Sequence, residues 1–415
     1  WENSVWKMLN FFLILRCGYE VYGHHRACHT DMLLKHDGKA IVANGGWHDA
    51  GDLAQSLTNT TEATAALLSL AMALKDTGND RLFIRVLEEA KWGLDYVIKM
   101  RFGDGYRGTY SSSSIWTDGV IGTEDDITTS ASRSAYTNFD AAYAEALGAQ
   151  AFKDTDPDYA NYALKIAKED FAFGMEIFEE HEAQRSDDFN GWGQFSVGDM
   201  IDVQVCPIGA LAAAELYKLT QESAYTDHAK RFAEIVLACQ QQELTDWDVP
   251  MAGFFYQDRK RDLIWHHNHM SYSYLPDLAL RTLCESYPDD PDYMKWYSAL
   301  ALSGDYYKAL SKYTFPYGVV PAGVYHIDEL ADHGQKVLCT HPGMVGYVAE
   351  AEKEKKLQAE GKLPEGYQPV SAGYAMEDLA AQYKVMVEKG FPLGKGYYVR
   401  VYPVWFSFRG NYNVL

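Results

Sequence analysis

A chain of 415 residues that is 47% hydrophobic has ample apolar material for a sizeable core, and its formal net charge of −21 argues against nucleic acid or an anionic membrane as partner. No apolar run reaches the roughly 18 residues that cross a bilayer. The length allows two average domains or one large helical toroid. In chain order, a first helix is expected over Ser4 to Leu15. A segment too glycine-rich for helix or regular strand follows, Gly45-Gly46-Trp47-His48-Asp49-Ala50-Gly51-Asp52. From Glu62 to Asp76, Ala63, Ala66, Leu67, Leu70 and Leu74 form a 3.6-residue stripe that Gly78 is placed to end. Phe83, Val86, Leu87, Ala90, Leu94 and Val97 form the stripe of a second helix.

The same pairing recurs. Ala135 to Phe152 leads through Asp156-Pro157, an N-cap followed by proline in the first turn, into Tyr159 to Phe173. Ile208 to Leu219 leads into Tyr225 to Cys239, and Ser271 to Tyr287 into Tyr293 to Leu310. These are helical hairpins with tight loops, recurring about every 70 residues. Irregular segments are expected at 101–133, 181–206, 243–269 and 313–371. In an antiparallel array the short loops fall at one end and the long segments at the other, so the Asp49–Asp52 segment joins the loops able to build a cleft. Ten helices are countable and an eleventh begins near Gly410, whereas a closed ring of six hairpins needs twelve. Both ends read as cut: the chain starts at Trp1 and finishes in Tyr412-Asn413-Val414-Leu415. No leader segment is visible at the start.

Asp49 and Asp52 sit three apart among small residues that let the backbone bend, so both carboxylates can face one small volume. Paired carboxylates perturb each other's proton affinity, as acid/base chemistry requires; the alternatives are a surface turn or a calcium loop. Four possible metal ligands precede or enter this segment: Cys17, Cys28, His29 and His48. Two thiolates and two imidazoles suit tetrahedral Zn²⁺, and a closed set of four is structural. The spacing is no standard zinc-finger pattern, which leaves open two buried cysteines or a disulfide with locally hydrogen-bonded histidines. His24, His25 and His36 compete as ligands. Cys206, Cys239 and Cys284 lie on or beside apolar stripes and read, with Cys339, as buried thiols.

The string from Gly45 to Asp52 resembles the catalytic-base motif of glycoside hydrolase family 9, the family of many inverting cellulases. The resemblance implies an all-α (α/α)6 barrel, here a single catalytic domain over 1–415 that lacks its last helices. It implies hydrolysis of β-1,4-linked glucan with inversion, Asp52 being the base and Asp49 holding the same water. The two carboxyl groups of an inverting enzyme lie about 6.5–9.5 Å apart to admit that water. The family's acid is a glutamate near the C-terminal end of its domain, and no match to it is found, so these residues are expected to lack half of the machinery. Glu124, in a run of three acids that reads first as a solvated or calcium-binding stretch, is the local runner-up. Some family members carry a zinc site of two cysteines and two histidines, which Cys17, Cys28, His29 and His48 resemble. Calcium, also known in the family, finds a weak match in Asp199 with Asp202.

Sugar contacts are expected from aromatics of the long segments: Trp47, Trp116, Trp192 and Trp265, with Tyr106, Tyr272 and Tyr325, and from His267 in Trp265-His266-His267-Asn268-His269. Two departures stand out. His48 stands where the family commonly has Tyr, which fits its zinc-bearing branch, and Leu53-Ala54-Gln55-Ser56 replaces an aromatic-rich continuation. The second leaves open other β-linked glucans or glucosamine oligomers, exo-acting release of single units, or a non-catalytic carbohydrate-binding toroid. The resemblance implies a secreted or periplasmic protein acting on a polysaccharide or oligosaccharide; protein partners are not indicated.

Overall fold

Caps and turns fix the helix ends before packing does. In a computed structural model of the chain, the residues described are 1–49, 54–111, 116–184, 199, 201–266, 272–338, 342–364, 366–367, 374–402 and 404. They form two compact units. The first takes Trp1–Arg185, Gln194–Met200 and Ile208–Phe232, the second Ser186–Gly193, Ile201–Pro207 and Ala233–Leu415.

The first unit contains α1 (Glu2–Leu15), α2 (Leu57–Asp76), α3 (Asp80–Lys99), α4 (Ala135–Phe152) and α5 (Pro157–Gln184). Helix α2 starts earlier than its apolar stripe because Ser56 caps it, its hydroxyl accepting the Asn59 N–H at 3.4 Å. Gly78 makes the α2–α3 turn at φ 71°, a conformation that favours glycine, and Asn79 then caps α3. As the sequence indicates, Asp156 caps the start of α5 by accepting the Tyr159 N–H at 3.1 Å.

Helix α4 is buried along almost its whole length, with contacts to α2, α3 and α5. Its many alanines permit this, since small side chains let neighbouring helices close in from every side. Trp47, Leu68, Phe83, Val86, Leu94, Leu147 and Phe152 pack together in the core beside it. Each large side chain buried there contributes about 1.5–3 kcal/mol. A wholly buried cation, Arg107, meets Glu145 at 3.0 Å and also pairs with Asp170. Burial raises the Glu145 carboxyl well above its ordinary pKa, with the Asp170 charge adding to the rise and Arg107 opposing it.

The irregular segments of this unit contain short strands. In one three-stranded sheet, β1 (Met32–His36) pairs antiparallel with β2 (Lys39–Val42), Leu34 facing Ile41, and parallel with β6 (Ile127–Ser130), Leu34 facing Thr129. Two further pairs join β3 (Gln55–Ser56) to β5 (Tyr110–Ser111) and β4 (Tyr106–Arg107) to β7 (Ser132–Arg133).

Helices α6 (Asp202–Thr220) and α7 (Ser223–Ala238) each contribute residues to both units. The second unit adds α8 (Leu275–Ser286), α9 (Tyr293–Ser311), α10 (Glu329–Leu338), α11 (Pro342–Ala359) and α12 (Met376–Glu388). It also holds an antiparallel sheet in which β10 (Tyr397–Arg400) lies between β8 (Gly323–His326) and β9 (Phe391–Gly394). Three boundaries correct the sequence reading. Helix α6 begins at Asp202 and carries Pro207 inside it. Helix α8 begins at Leu275, with Pro276 in its first turn. The segment 313–371, read as irregular, contains α10 and α11. Helix α11 was hidden because its glutamates, lysines and alanines favour helix without forming an apolar stripe. The helix expected near Gly410 lies outside the described residues.

Candidate functional site

Two backbone crossings bring the cysteine and histidine ligands together. The Cys17 N–H donates to the Gly46 carbonyl at 3.0 Å and the His48 N–H to the Leu15 carbonyl at 2.9 Å. Gly46 has φ 63°, and a Cβ there would meet Thr60 Oγ1 at 3.0 Å and the Tyr96 ring at 3.1 Å, so only glycine suits the turn. On the other side, His29 has φ 59°, a left-handed conformation uncommon outside glycine, which lets the consecutive Cys28 and His29 face one point.

The result is a buried cluster in which one ligand atom from each of Cys17, Cys28, His29 and His48 lies within 4.8 Å of the others. Cys17 Sγ is 3.3 Å from His29 Nδ1, Cys28 Sγ is 3.1 Å from His48 Nε2, and the sulfurs are 3.8 Å apart. A disulfide requires about 2.05 Å, so the two cysteines are not bridged. Two thiolates each about 2.3 Å from a tetrahedral Zn²⁺ would stand about 3.8 Å apart, which is the separation found. The cluster therefore fits zinc. Hydrogen bonding from Cys17 is the main influence drawing the Cys28 thiol down to about 2, whereas burial is the main influence raising Cys17. Of the competing histidines, His25 Nε2 is 2.7 Å from the Ile14 carbonyl and His36 Nε2 is 2.9 Å from Asp104. Cys206 and Cys239 are buried and Cys284 half-buried, and none of the three is bridged to another described cysteine; Cys339 lies outside the described residues.

Next to the cluster, the exposed Asp49 keeps its carboxylate oriented by the Asn59 amide, which donates to Oδ2 at 2.8 Å. The Asp49 N–H donates to the Ala54 carbonyl at 2.9 Å, closing the loop that carries Asp52. Asp52 itself, with Trp192 and His267, lies outside the described residues.

Trp47 is corrected from sugar contact to core. It is 4% exposed, its ring centroid lies 4.9 Å from that of Phe12, and its indole N–H donates to Glu89 Oε1 at 2.9 Å. Glu89 also takes two bonds from Arg16, at 3.2 and 2.7 Å, so Trp47 ties the motif to α3. Trp116 remains a candidate platform: it is exposed, with the Arg26 guanidinium 4.9 Å over its ring. Trp265 and Tyr325 are buried, and Tyr106 is half-buried and stacked on His36.

Asp199 and Asp202, the weak calcium match, each bind protein groups. Asp199 Oδ1 accepts from Ser134 Oγ at 3.0 Å and the Tyr136 N–H at 2.7 Å, capping α4, while Asp202 binds Arg259 at 2.9 Å. Glu124 is exposed and not part of any buried site. The carboxylates that do converge are Asp31, Asp118 and Asp125. Distance in sequence hid this group, because Asp31 enters from the turn before β1. Its two oxygens accept from Thr117 Oγ1 and the Gly119 N–H.

The model of glycosyl hydrolase family 9 matches residues 1–317. The chain belongs to that family. As a family 9 glycosyl hydrolase it is 27% identical over 274 residues to endoglucanase D of Acetivibrio thermocellus, which covers 60% of this chain and 42% of that protein. The chain thus spans less than half the length of this relative. Its fold matches a thermostable endoglucanase from Alicyclobacillus acidocaldarius at TM-score 0.52, with 18% identity, covering 79% of this chain and 59% of that one. A metagenome-derived family 9 endoglucanase matches at TM-score 0.51, with 20% identity, covering 82% and 61%. The fold class is the (α/α)6 barrel of family 9. Among the described residues, no helix is long and apolar enough to cross a membrane.

Proposed function

We propose that this chain is the catalytic part of a secreted glycoside hydrolase that cleaves β-1,4-linked glucan with inversion. The observation that carries the reading is Asp49, exposed in the family motif and held by Asn59 at the mouth of the loop bearing Asp52. Asp52 takes the proton from water as that water attacks the anomeric carbon from the face opposite the leaving sugar. Asp49 orients the same water. Proton delivery to the leaving oxygen falls to an acid that this reading does not assign.

Cys17, Cys28, His29 and His48 would hold a structural Zn²⁺, which when bound adds a covalent-strength staple and no reactive position. What the protein supplies is the anchoring. The chain crossing at Leu15–Cys17 and the Trp47–Glu89 bond fix the run Gly46–His48 that leads into Asp49. Holding a water and a carboxylate in attack geometry removes much of the entropic part of the barrier.

Asp52→Asn in the full-length protein should abolish hydrolysis of soluble β-glucan while leaving the circular dichroism spectrum and melting temperature unchanged. Retained turnover would refute the assignment of the base, and NMR of the first-formed anomer reports inversion directly.

A further inference from the structure

Helix α3 turns one face toward the chain that enters the carboxylate motif. Glu89, Trp92, Gly93, Tyr96 and Lys99 follow one another at three- and four-residue steps, so they share that face. Each meets a different part of the run from Asn44 to Trp47. Lys99 Nζ donates to Asn44 Oδ1 at 2.6 Å. The Tyr96 ring lies against Gly45 and Gly46, where a Cβ would meet it at 3.2 and 3.1 Å. Trp92 Nε1 donates to the Gly46 carbonyl at 2.8 Å. Gly93 leaves room for the Trp47 ring, since a Cβ there would stand 2.4 Å from it.

Glu89 reaches beyond this run. It is buried, and its Oε1 accepts from Trp47 Nε1 at 2.9 Å and from Arg16 Nε at 3.2 Å, while Oε2 accepts from Arg16 Nη2 at 2.7 Å. Arg16 and Trp47 face each other in an isolated antiparallel bridge. The bonds that close the bridge run from the Cys17 N–H to Gly46 and from the His48 N–H to Leu15. Residues opposed in this way present their side chains on the same side, and the next residue along each strand points to the other side. Arg16 and Trp47 therefore face α3, and Cys17 and His48 face the metal-ligand cluster. One carboxylate grips the residue immediately before each of two ligands.

A single bridge is too short to hold its own geometry in water. The forked Arg16–Glu89 pair adds a planar, two-bond constraint, and the Arg16 guanidinium also lies 4.7 Å over the Trp92 ring. The other two ligands, Cys28 and His29, follow residues 19–27, which are mostly exposed. The grip thus acts on one half of the ligand set.

We propose that Glu89 is the positioning residue of the cysteine–histidine centre: by holding Arg16 and Trp47 together it presets Cys17 and His48 before a metal arrives, so that α3 sets the zinc affinity. The proposal rests on the zinc reading given above. Ligands already in place spare the ion the cost of ordering them, and partners behind metal ligands typically change affinity about 10–100-fold.

The test is competition for zinc between full-length protein and a chromogenic chelator, at a temperature where circular dichroism shows every variant folded. Glu89→Gln keeps the size of the side chain but loses the charge and one acceptor oxygen, and should bind zinc at least about tenfold more weakly. Leu147→Ala, a core substitution on α4 of the same unit, should lower the melting temperature and leave zinc affinity within about twofold of wild type. A smaller loss for Glu89→Gln, with zinc bound by the wild type, overturns the positioning role and leaves the zinc site standing. Equal weakening by Leu147→Ala assigns the effect to general destabilisation and also overturns it. If Glu89→Gln does not fold, Arg16→Lys decides, because it keeps the cation and loses the fork; zinc affinity within about twofold of wild type then overturns the proposal. A wild type that takes up no zinc overturns the zinc reading and the proposal together.

Discussion

Replacing Cys17 by Ser removes one of four ligands from the buried cluster and separates the zinc assignment from its alternatives. The sulfur separation of 3.8 Å excludes a disulfide and matches two thiolates on one tetrahedral ion. If free zinc stands at about a thousand times its dissociation constant, binding adds about 4 kcal/mol to the folded state. For a cooperative unit of roughly 200 residues, each kcal/mol moves the melting temperature about 2–4 °C. Chelation of the wild type should therefore lower the melting temperature by roughly 8–16 °C, and Cys17→Ser should melt at the chelated value whether or not chelator is present. Elemental analysis should give one equivalent of zinc in the wild type and less than a tenth in the variant. Glucan turnover should also fall on chelation if the ion anchors the segment that carries Asp49. Less than half an equivalent of metal in wild-type protein, with both thiols titratable by a thiol reagent, would refute the site.

Trp47→Phe deletes a hydrogen bond to the buried Glu89 carboxylate but leaves an aromatic ring in the core. It should cost about 1.5–3 kcal/mol of stability in denaturant melts with KM for glucan within twofold of wild type; a large rise in KM with stability unchanged would restore Trp47 as a sugar platform. In the second unit, the buried Lys336 pairs with Asp258 at 2.9 Å and also with Asp262. Lys336→Met removes the cation paired with the buried Asp258 and should destabilise that unit by about 3–5 kcal/mol, measured by chemical denaturation. For Asp262, burial alone would raise the pKa, but the Lys336 ammonium outweighs it and leaves the carboxyl below its ordinary value. A group depressed on folding stabilises above its unfolded value, near 4, and loses that contribution as pH falls through the lower folded value. Stability of the wild type should thus decline more steeply than that of Lys336→Met as pH falls from about 4 through the folded value, and parallel acid titrations of the two would contradict the pairing.

The sequence by itself determined the helical hairpins of the first unit. Their stripes, caps and turn residues, such as Gly78 and the Asp156-Pro157 step, act within a few positions of one another. The glycine-bounded motif from Gly45 to Asp52 was legible for the same reason, since its backbone demands are local. The cysteine–histidine set was only half legible. Residue types allowed a metal, buried thiols or a disulfide, and the disulfide stayed open until the crossing of Leu15–Cys17 with Gly46–His48 held the sulfurs 3.8 Å apart. Tertiary structure alone decided what each aromatic does. Trp47 and Trp265 look alike in sequence, yet one fills a core with its N–H bonded to Glu89 and the other lines a cavity with its N–H unpartnered among the described residues. The physical reason is that burial and hydrogen-bond partnership depend on residues distant in the chain, here Glu89 for Trp47 and the cavity-lining Tyr306, Leu310 and Val401 for Trp265. Helical periodicity and turn chemistry are properties of neighbours and are written locally.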